Sequence, residues 1–451
     1  TMIRIDEIIK ITNAKVIFAD EKDLNTDITK FSTDTRTISK GDFYIPLKGA
    51  NFDGENFIDK AIESGAVGYF TTTGKIEKGA KFALQVENTL TAYLQLANYR
   101  RNQVNPKVVM ITGSSGKTTT KELVYSVCSQ KFNTVKTPAN HNNEIGFCQT
   151  VFSITDDTEV LIIEAGMRGF GEIELISKYA EPDISIISNV GTAHIGRLGS
   201  RENIAKAKCE ITSHQKPEGI LIAHDNELIK NNVNYNGRKI YYSINDVKIL
   251  KKEIGHSEYE YKNHKYTLNI EGDYNIENSI SAIETGLELG MSQDLIAKGL
   301  EEYKSIEKRW EIEEINGYNI INDSYNANPE SMKATLNTIF DLYPSCVIVL
   351  GNMGELGENE IQYHKEVADF INSKNISSNT KILTVGDLAK HISDNIKTGF
   401  TKNFNSNDEV SNYILNNIEK GATIFFKASR SMKLEEIISN LRNKKGENIK
   451  W

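Results

Sequence analysis

One stretch constrains this chain more than any other: Val108-Val-Met-Ile-Thr-Gly-Ser-Ser-Gly-Lys-Thr-Thr-Thr-Lys121. Its four leading apolar residues read as a buried strand. Gly113, Ser114, Ser115 and Gly116 cannot extend that strand comfortably. The glycines let the backbone turn sharply and bring its N–H groups near an anion. Lys117 supplies a point charge and Thr118 a hydroxyl suited to Mg²⁺. Residues 119–127 have a helical pattern, so the N-terminus of that helix aims at the same place. Strand, glycine turn, Lys-Thr and helix together make a phosphate cradle, and nucleotide binding is expected. The pattern is a shortened P-loop, because Ile111 stands where the full spacing has its first glycine.

A chain of 451 residues is too long for one core, and roughly two to four domains are expected. No apolar run approaches the ~20 residues of a membrane span. The opening Thr1-Met-Ile-Arg-Ile-Asp6 does not read as a secretory leader. Cys128, Cys148, Cys209 and Cys346 are scattered, with no C-x-x-C pair, which fits reduced thiols in a cytosol better than disulfides or zinc. A net charge of -8 argues against general nucleic-acid binding. An anionic substrate would have to be held by local charges and helix ends.

Residues 1–85 form a small opening unit. Phe43, Ile45 and Leu47 alternate as a half-buried strand would, and residues 58–66 read as a helix ending at Gly65. Asp34-Thr-Arg36 places a fixed cation among hydroxyls, which suits a diphosphate or a ribose, and Lys48 could add a phosphate contact. A charged surface turn is the plainer reading of the same residues. Residues 88–102 are a helical connector before Pro106, where the first domain boundary falls.

The central region alternates strands and helices, as a mostly parallel α/β sheet would. The strand at 159–166 carries Glu164 at its carboxyl end, where an acid can meet a metal; a solvated strand-end acid is the alternative. His194 leaves the end of a third strand toward the same crevice, or is structural. Asn140, Asn142 and Asn143 lie in a polar loop that faces substrate or is mere surface. Ser200 is the expected cap of a helix carrying Lys206 and Lys208. Those two lysines stand ~200° apart, so at most one points into the nucleotide site. Residues 220–266 look like an edge hairpin region. Asn275 and Asn278 fall near a helix start, where asparagine either pairs with an adenine edge or caps. After Glu307-Lys-Arg-Trp-Glu311 a third α/β unit follows, with strands at 318–323, 346–350, 382–385 and 423–426. Each strand ends in polar loop residues, Asp323-Ser-Tyr-Asn-Ala-Asn-Pro329 and Lys427-Ala-Ser-Arg430 among them.

Taken together these segments resemble the Mur ligases of peptidoglycan synthesis, and within that family the MurF-type branch. The resemblance covers nearly the whole chain. Its most specific pieces are Asp34-Thr-Arg36 with Phe52-Asp-Gly54, Thr112-Gly-Ser-Ser-Gly-Lys-Thr118, Asn140-His-Asn-Asn-Glu-Ile-Gly146, Ala205-Lys-Ala-Lys208 and Asp323-Ser-Tyr-Asn-Ala-Asn-Pro329. The Asp-Asn-Pro-Arg motif of the diaminopimelate-adding branch is absent.

The resemblance implies an α/β fold in three domains: a small α/β N-terminal domain (1–85), a central P-loop-type, mostly parallel sheet ATPase domain (86–306) and a C-terminal Rossmann-like α/β domain (307–451). It implies a cytoplasmic, monomeric ATP-dependent ligase joining D-alanyl-D-alanine to UDP-N-acetylmuramoyl-tripeptide. ATP would be held by Gly113, Ser114, Ser115, Gly116, Lys117, Thr118 and Thr119, with Asn278 at the adenine and Arg309, Asp323 and Asn326 arriving from the third domain. Two Mg²⁺ ions would draw on Thr118, Glu164, His194 and a carbamylated Lys208, and Lys117, Glu164, His194 and Lys208 would be the catalytic set. Asp34, Arg36 and Lys48 match the uridine-diphosphate end; Asn140, Asn142, Asn143, Tyr325, Asn328, Ser429 and Arg430 are further substrate candidates. Three positions depart from the family pattern: Asn352 stands for an aspartate, Tyr274 for a histidine and Ala428 for a glycine. Two rival expectations are another ligase of the superfamily, such as a folylpolyglutamate type, and a non-catalytic ATP-gated binding protein.

Overall fold

The computed structural model describes residues 3–139, 141–191, 195–253, 255–270, 272–304 and 312–443. The opening unit is built on a five-stranded sheet in the order Lys15–Phe18, Phe82–Gln85, Gly68–Thr71, Phe43–Tyr44, Phe31–Ser32. Only its first pair is antiparallel. The alternation expected at Phe43, Ile45 and Leu47 is corrected here. Phe43, Tyr44 and Ile45 are all fully buried, because this short strand lies inside the sheet and is covered on both faces. Helix Thr89–Val104 starts where Asn88 Oδ1 accepts from Thr91 N at 2.9 Å, and it packs on helices of the next unit.

The central sheet is entirely parallel, in the order Arg238–Tyr242, Ile220–His224, Ile184–Ile187, Lys107–Thr112, Val160–Glu164, Thr134–Lys136. Its inner strands are apolar runs buried on both faces, which is what helix-covered parallel strands require. The hairpin expected over 220–266 is therefore only partly present. Ile220–His224 and Arg238–Tyr242 join the parallel sheet, and only Lys248–Glu253, His256–Tyr261 and His264–Leu268 form an antiparallel meander.

The third unit has a six-stranded sheet: Glu313–Ile315, Tyr318–Asn322, Thr423–Lys427, Val347–Gly351, Lys381–Val385, Phe400–Phe404. The first pair is antiparallel and the rest parallel. Sequence reading found the four inner strands and missed the two edges. Edge strands keep one side in water and so lack an apolar run, as Phe400-Thr-Lys-Asn-Phe404 illustrates.

A buried histidine fixes one strand-end loop of this unit. Met353 N donates to His364 Nε2 at 3.0 Å, so Nδ1 carries the proton and donates to Glu360 O at 2.6 Å. Burial holds the ring below its ordinary pKa of 6.5. With the folded value depressed, the neutral ring's contribution is complete above the unfolded value and is lost as pH falls through the folded one. Stability should therefore decline as pH drops below about 6.5, and His364→Gln should flatten that decline; urea denaturation from pH 7.5 to 5 measures it. An unaltered slope in the variant would remove His364 as the cause.

Candidate functional site

The loop strand Lys107–Thr112 lies between Ile184–Ile187 and Val160–Glu164, so three carboxyl ends meet at one crevice. The register sets Glu164 beside Ile111 and Ile187 beside Thr112. At Gly113 any Cβ would run into Ser188 Oγ. Gly116 has φ +74°, and an added Cβ there would stand 2.8 Å from Asn278 Nδ2. Gly116 is thus required by its left-handed backbone, while a side chain at Gly113 would have to displace the Ser188 hydroxyl. Helix Lys117–Cys128 follows directly.

Glu164 is 3% exposed and both its oxygens are engaged. Thr118 Oγ1 donates to Oε1 at 2.8 Å and Lys121 Nζ to Oε2 at 3.2 Å. Lys208 is 2% exposed and donates to Gly113 O at 3.1 Å, whereas Lys206 faces solvent. Only one of that pair turns inward, as the helix geometry requires. Burial, and then the like charge of Lys117, push the Lys208 amine well below its ordinary range. Lys117 is lowered by desolvation, opposed by the Glu164 carboxylate. Ser114 N and Ser115 N both donate to Asn189 Oδ1, at 2.9 and 3.0 Å, and Asn189 Nδ2 donates to Ser115 Oγ at 2.7 Å. This carboxamide clamps the turn from the neighbouring strand end.

The third unit supplies a facing wall. Lys427 Nζ, nearly buried, reaches Asp323 Oδ2 at 2.8 Å and Asn326 O at 3.2 Å. Ser114 to Thr119 on one side and Asn322, Asp323, Tyr325, Asn326, Asn328, Ser331 and Lys427 on the other enclose a cleft of about 550 Å³. That lies within the roughly 300–1,000 Å³ of small-molecule sites. Across the cleft's edge, Arg201 Nη2 contacts Glu330 Oε1 at 3.1 Å and Glu366 Oε2 at 3.4 Å. Arg201 opens the helix that ends near Lys208, and Glu330 lies in the first turn after Asn328.

The remaining candidates are placed as follows. Asp34 and Arg36 pair with each other, Nη2 to Oδ2 at 2.8 Å, and Arg36 holds the Asp34 carboxyl down to about 2. They and Lys48 belong to the opening unit and do not line this cleft. Asn142 packs on Gly166 and accepts its N–H through the backbone. Asn143 caps helix Glu144–Phe152, and Asn328 caps Pro329–Leu342 while still lining the cleft. Tyr325 is 72% exposed beneath the Arg430 guanidinium, and Ser429 Oγ accepts from Gly354 N. Asn140, His194 and Arg309 lie outside the described residues. At the departures, Asn352 Oδ1 accepts from Ala389 N at 2.8 Å, and Ala428 packs on Gly351. The Tyr274 ring packs beside Gly272.

Sequence reading overlooked Lys121, Asn189, Arg201 and the Lys427–Asp323 pair. Lys121 was within reach, since it falls one helical turn after Lys117 on the same face. Among the described residues no group of three His, Cys, Asp or Glu could by itself hold a metal. The Thr118 hydroxyl and Glu164 carboxylate are hard oxygen donors and fit Mg²⁺, which takes few protein ligands and leaves the rest to water and phosphate. Among the described residues no helix is long and apolar enough to cross a membrane.

Comparison with known proteins adds three matching family models: the Mur ligase middle domain over residues 111–286, the Mur ligase, glutamate ligase domain over 308–430, and the Mur ligase family, catalytic domain over 27–104. A Bacillus subtilis (strain 168) protein named UDP-N-acetylmuramoyl-tripeptide--D-alanyl-D-alanine ligase is 36% identical, covering 92% of this chain and 93% of its own length. A Synechocystis protein of the same name is 33% identical over 92% of each. The crystal structure of MurF from Acinetobacter baumannii superposes with a TM-score of 0.84 at 28% identity, covering 98% of this chain and 99% of that one. MurF ligase from Thermotoga maritima, solved in complex with ADP, gives 0.78 at 25% identity, covering 92% and 98%.

Proposed function

The chain belongs to the Mur ligase family, and from that premise we propose that it joins D-alanyl-D-alanine to UDP-N-acetylmuramoyl-tripeptide in the cytoplasm, as a monomer, at the expense of ATP. The observation that carries this reading is the cleft in which the phosphate turn faces Asp323 and Lys427. Three working units follow: 1–85 for the UDP-sugar end, 86–306 for ATP, and 307–451, which closes over the nucleotide and takes the dipeptide.

In this reading the tripeptide's terminal carboxylate attacks the γ-phosphate, giving an acyl phosphate and ADP. Lys117 and the N-terminal end of helix Lys117–Cys128 offset charge on the transferring phosphoryl group. The dipeptide amine then adds to the acyl carbon, and the tetrahedral intermediate expels phosphate. Acyl phosphates hydrolyse readily, so the facing wall at Asp323 and Asn326 serves to exclude water, and the family pattern gives Arg309 a nucleotide contact there. Thr118 and Glu164 would hold one Mg²⁺, and Glu164, His194 and Lys208 a second. When bound, such ions neutralise phosphate charge. In this reading Asn278, 6% exposed and beside Gly116, contacts the adenine side of the nucleotide, and Asp34, Arg36 and Lys48 take the uridine diphosphate.

A bare Lys208 ammonium would repel a metal, and its environment favours the neutral amine. That form adds carbon dioxide: the nitrogen lone pair bonds to carbon, a proton leaves, and an anionic carbamate results. Carbon-13 NMR in labelled bicarbonate should show a carbamate signal that Lys208→Arg abolishes; a signal that survives the substitution counts against the modification.

Phosphate release with ATP, Mg²⁺ and UDP-N-acetylmuramoyl-tripeptide, with and without D-alanyl-D-alanine, tests the whole proposal. Release should require the dipeptide. Release driven instead by lysine or diaminopimelate on a shorter precursor would identify a sister activity, and ATP binding without release would favour the non-catalytic alternative.

The Arg201 contacts give a separate expectation. The pairs are partly exposed, so each contributes under about 1 kcal/mol, but reversing the charge turns attraction into repulsion. Arg201→Glu should raise the KM for ATP about threefold to tenfold, and Glu330→Arg in the same chain should recover most of it. An unchanged KM would mean that the two walls hold together without this contact.

A further inference from the structure

We propose that Lys121 is a resident counter-ion that keeps the Glu164 position closed to a divalent ion until nucleotide arrives. The inference rests on the reading of Glu164 as a metal ligand and adds a residue to which that reading gives no role. Lys121 is the most deeply withdrawn cation of the site, with 0% exposure. It lies on the phosphate-loop helix, three residues beyond Thr118 and four beyond Lys117, so all three share a face. Its ammonium is 3.2 Å from Glu164 Oε2 and 3.8 Å from Glu122 Oε1. Glu122 is itself ion-paired with Lys136. Glu164 is therefore its close partner, and the other Glu164 oxygen already accepts the Thr118 hydroxyl at 2.8 Å.

The charge balance of the pocket then decides what can enter. Glu164 supplies one negative charge, and Lys121 cancels it. A bare divalent ion would meet a carboxylate already neutralised by Lys121 on one oxygen and occupied by the Thr118 hydroxyl on the other, with little solvent to screen the Lys121 charge. A nucleotide triphosphate reverses the sign by bringing several negative charges against the same turn. Metal binding is thus contingent on nucleotide, with Lys121 as a positioning residue that acts through Glu164. A merely structural Lys121, tying helix Lys117–Cys128 to strand Val160–Glu164, would leave metal affinity alone.

The test uses the full chain and Mn²⁺ as a paramagnetic probe, read by electron paramagnetic resonance. Without nucleotide, the unmodified protein should bind Mn²⁺ at least about tenfold more weakly than with ATP present. Lys121→Met should tighten nucleotide-free binding about tenfold or more, Lys121→Gln should do so while keeping an N–H for Glu164, and Lys121→Arg should restore weak binding. Adding Glu164→Gln to Lys121→Met should abolish the gain. Equal Mn²⁺ affinity with and without ATP in the unmodified protein overturns the proposal even if no variant folds. So does unchanged or weaker affinity in folded Lys121→Met or Lys121→Gln. If Mn²⁺ bound with ATP is indifferent to Glu164→Gln, the ligand reading of Glu164 fails instead, a distinguishable result.

Discussion

Lys117→Ala should reduce dipeptide-dependent phosphate release by at least about 10²–10³-fold while leaving the protein as stable as before. The functional half follows from position. Lys117 opens the helix at the phosphate turn and lines the cleft, and a charge-bearing donor in a site that excludes water is worth far more than the same donor in water. The stability half follows from electrostatics. The Lys117 ammonium is disfavoured by desolvation, which offsets its attraction to the Glu164 carboxylate, so its removal gives up little net stabilisation. A midpoint of chemical denaturation that is unchanged or higher, together with collapsed turnover, is the expected pair. Unchanged turnover would sink the assignment of Lys117, since the phosphoryl charge would then be carried without it.

Glu164→Ala should damage both properties at once. Its removal leaves Lys121 buried without its close partner, and breaking a buried pair from one side costs about 3–5 kcal/mol. It also strips the crevice of the carboxylate that Thr118 contacts, so turnover should fall by about 10²–10³-fold or more. Glu164→Gln separates the effects, because its one carbonyl oxygen can still accept from Lys121 while its NH₂ donates to the Thr118 hydroxyl, and it carries no charge. It should recover part of the stability and little of the activity. Urea denaturation and phosphate release on the same preparations read both. A Glu164→Ala protein as stable as its parent would show that Lys121 does not depend on this carboxylate.

The inner strands of the second and third units were legible because parallel strands covered on both faces must be apolar throughout, as residues 160–163 and 347–350 are. The edge strand Phe400–Phe404 was missed and the opening strand Phe43–Tyr44 misread for the same reason in reverse. Local alternation says which residues differ from their neighbours, and burial depends on where the strand lies in its sheet. Asn142, Asn143 and Asn328 show a second limit. Asparagine in a polar loop suits a ligand and suits a helix N-cap, and only coordinates reveal that Asn143 and Asn328 cap.

The sequence by itself determined the phosphate cradle, since fourteen consecutive residues contain the strand, both glycines, Lys117, Thr118 and the helix that completes it. Each of those parts follows from short-range rules: apolar burial, permissive backbone and an N-terminal dipole. The tertiary structure alone decided what surrounds the cradle. Asn189 reaches Ser114 because of the register between two parallel strands, Lys427 reaches Asp323 across 104 residues, and Arg201 reaches Glu330 across 129. Such contacts depend on sheet order and on how one unit sits against another. These are set by the burial of whole elements, which no window of neighbouring residues records.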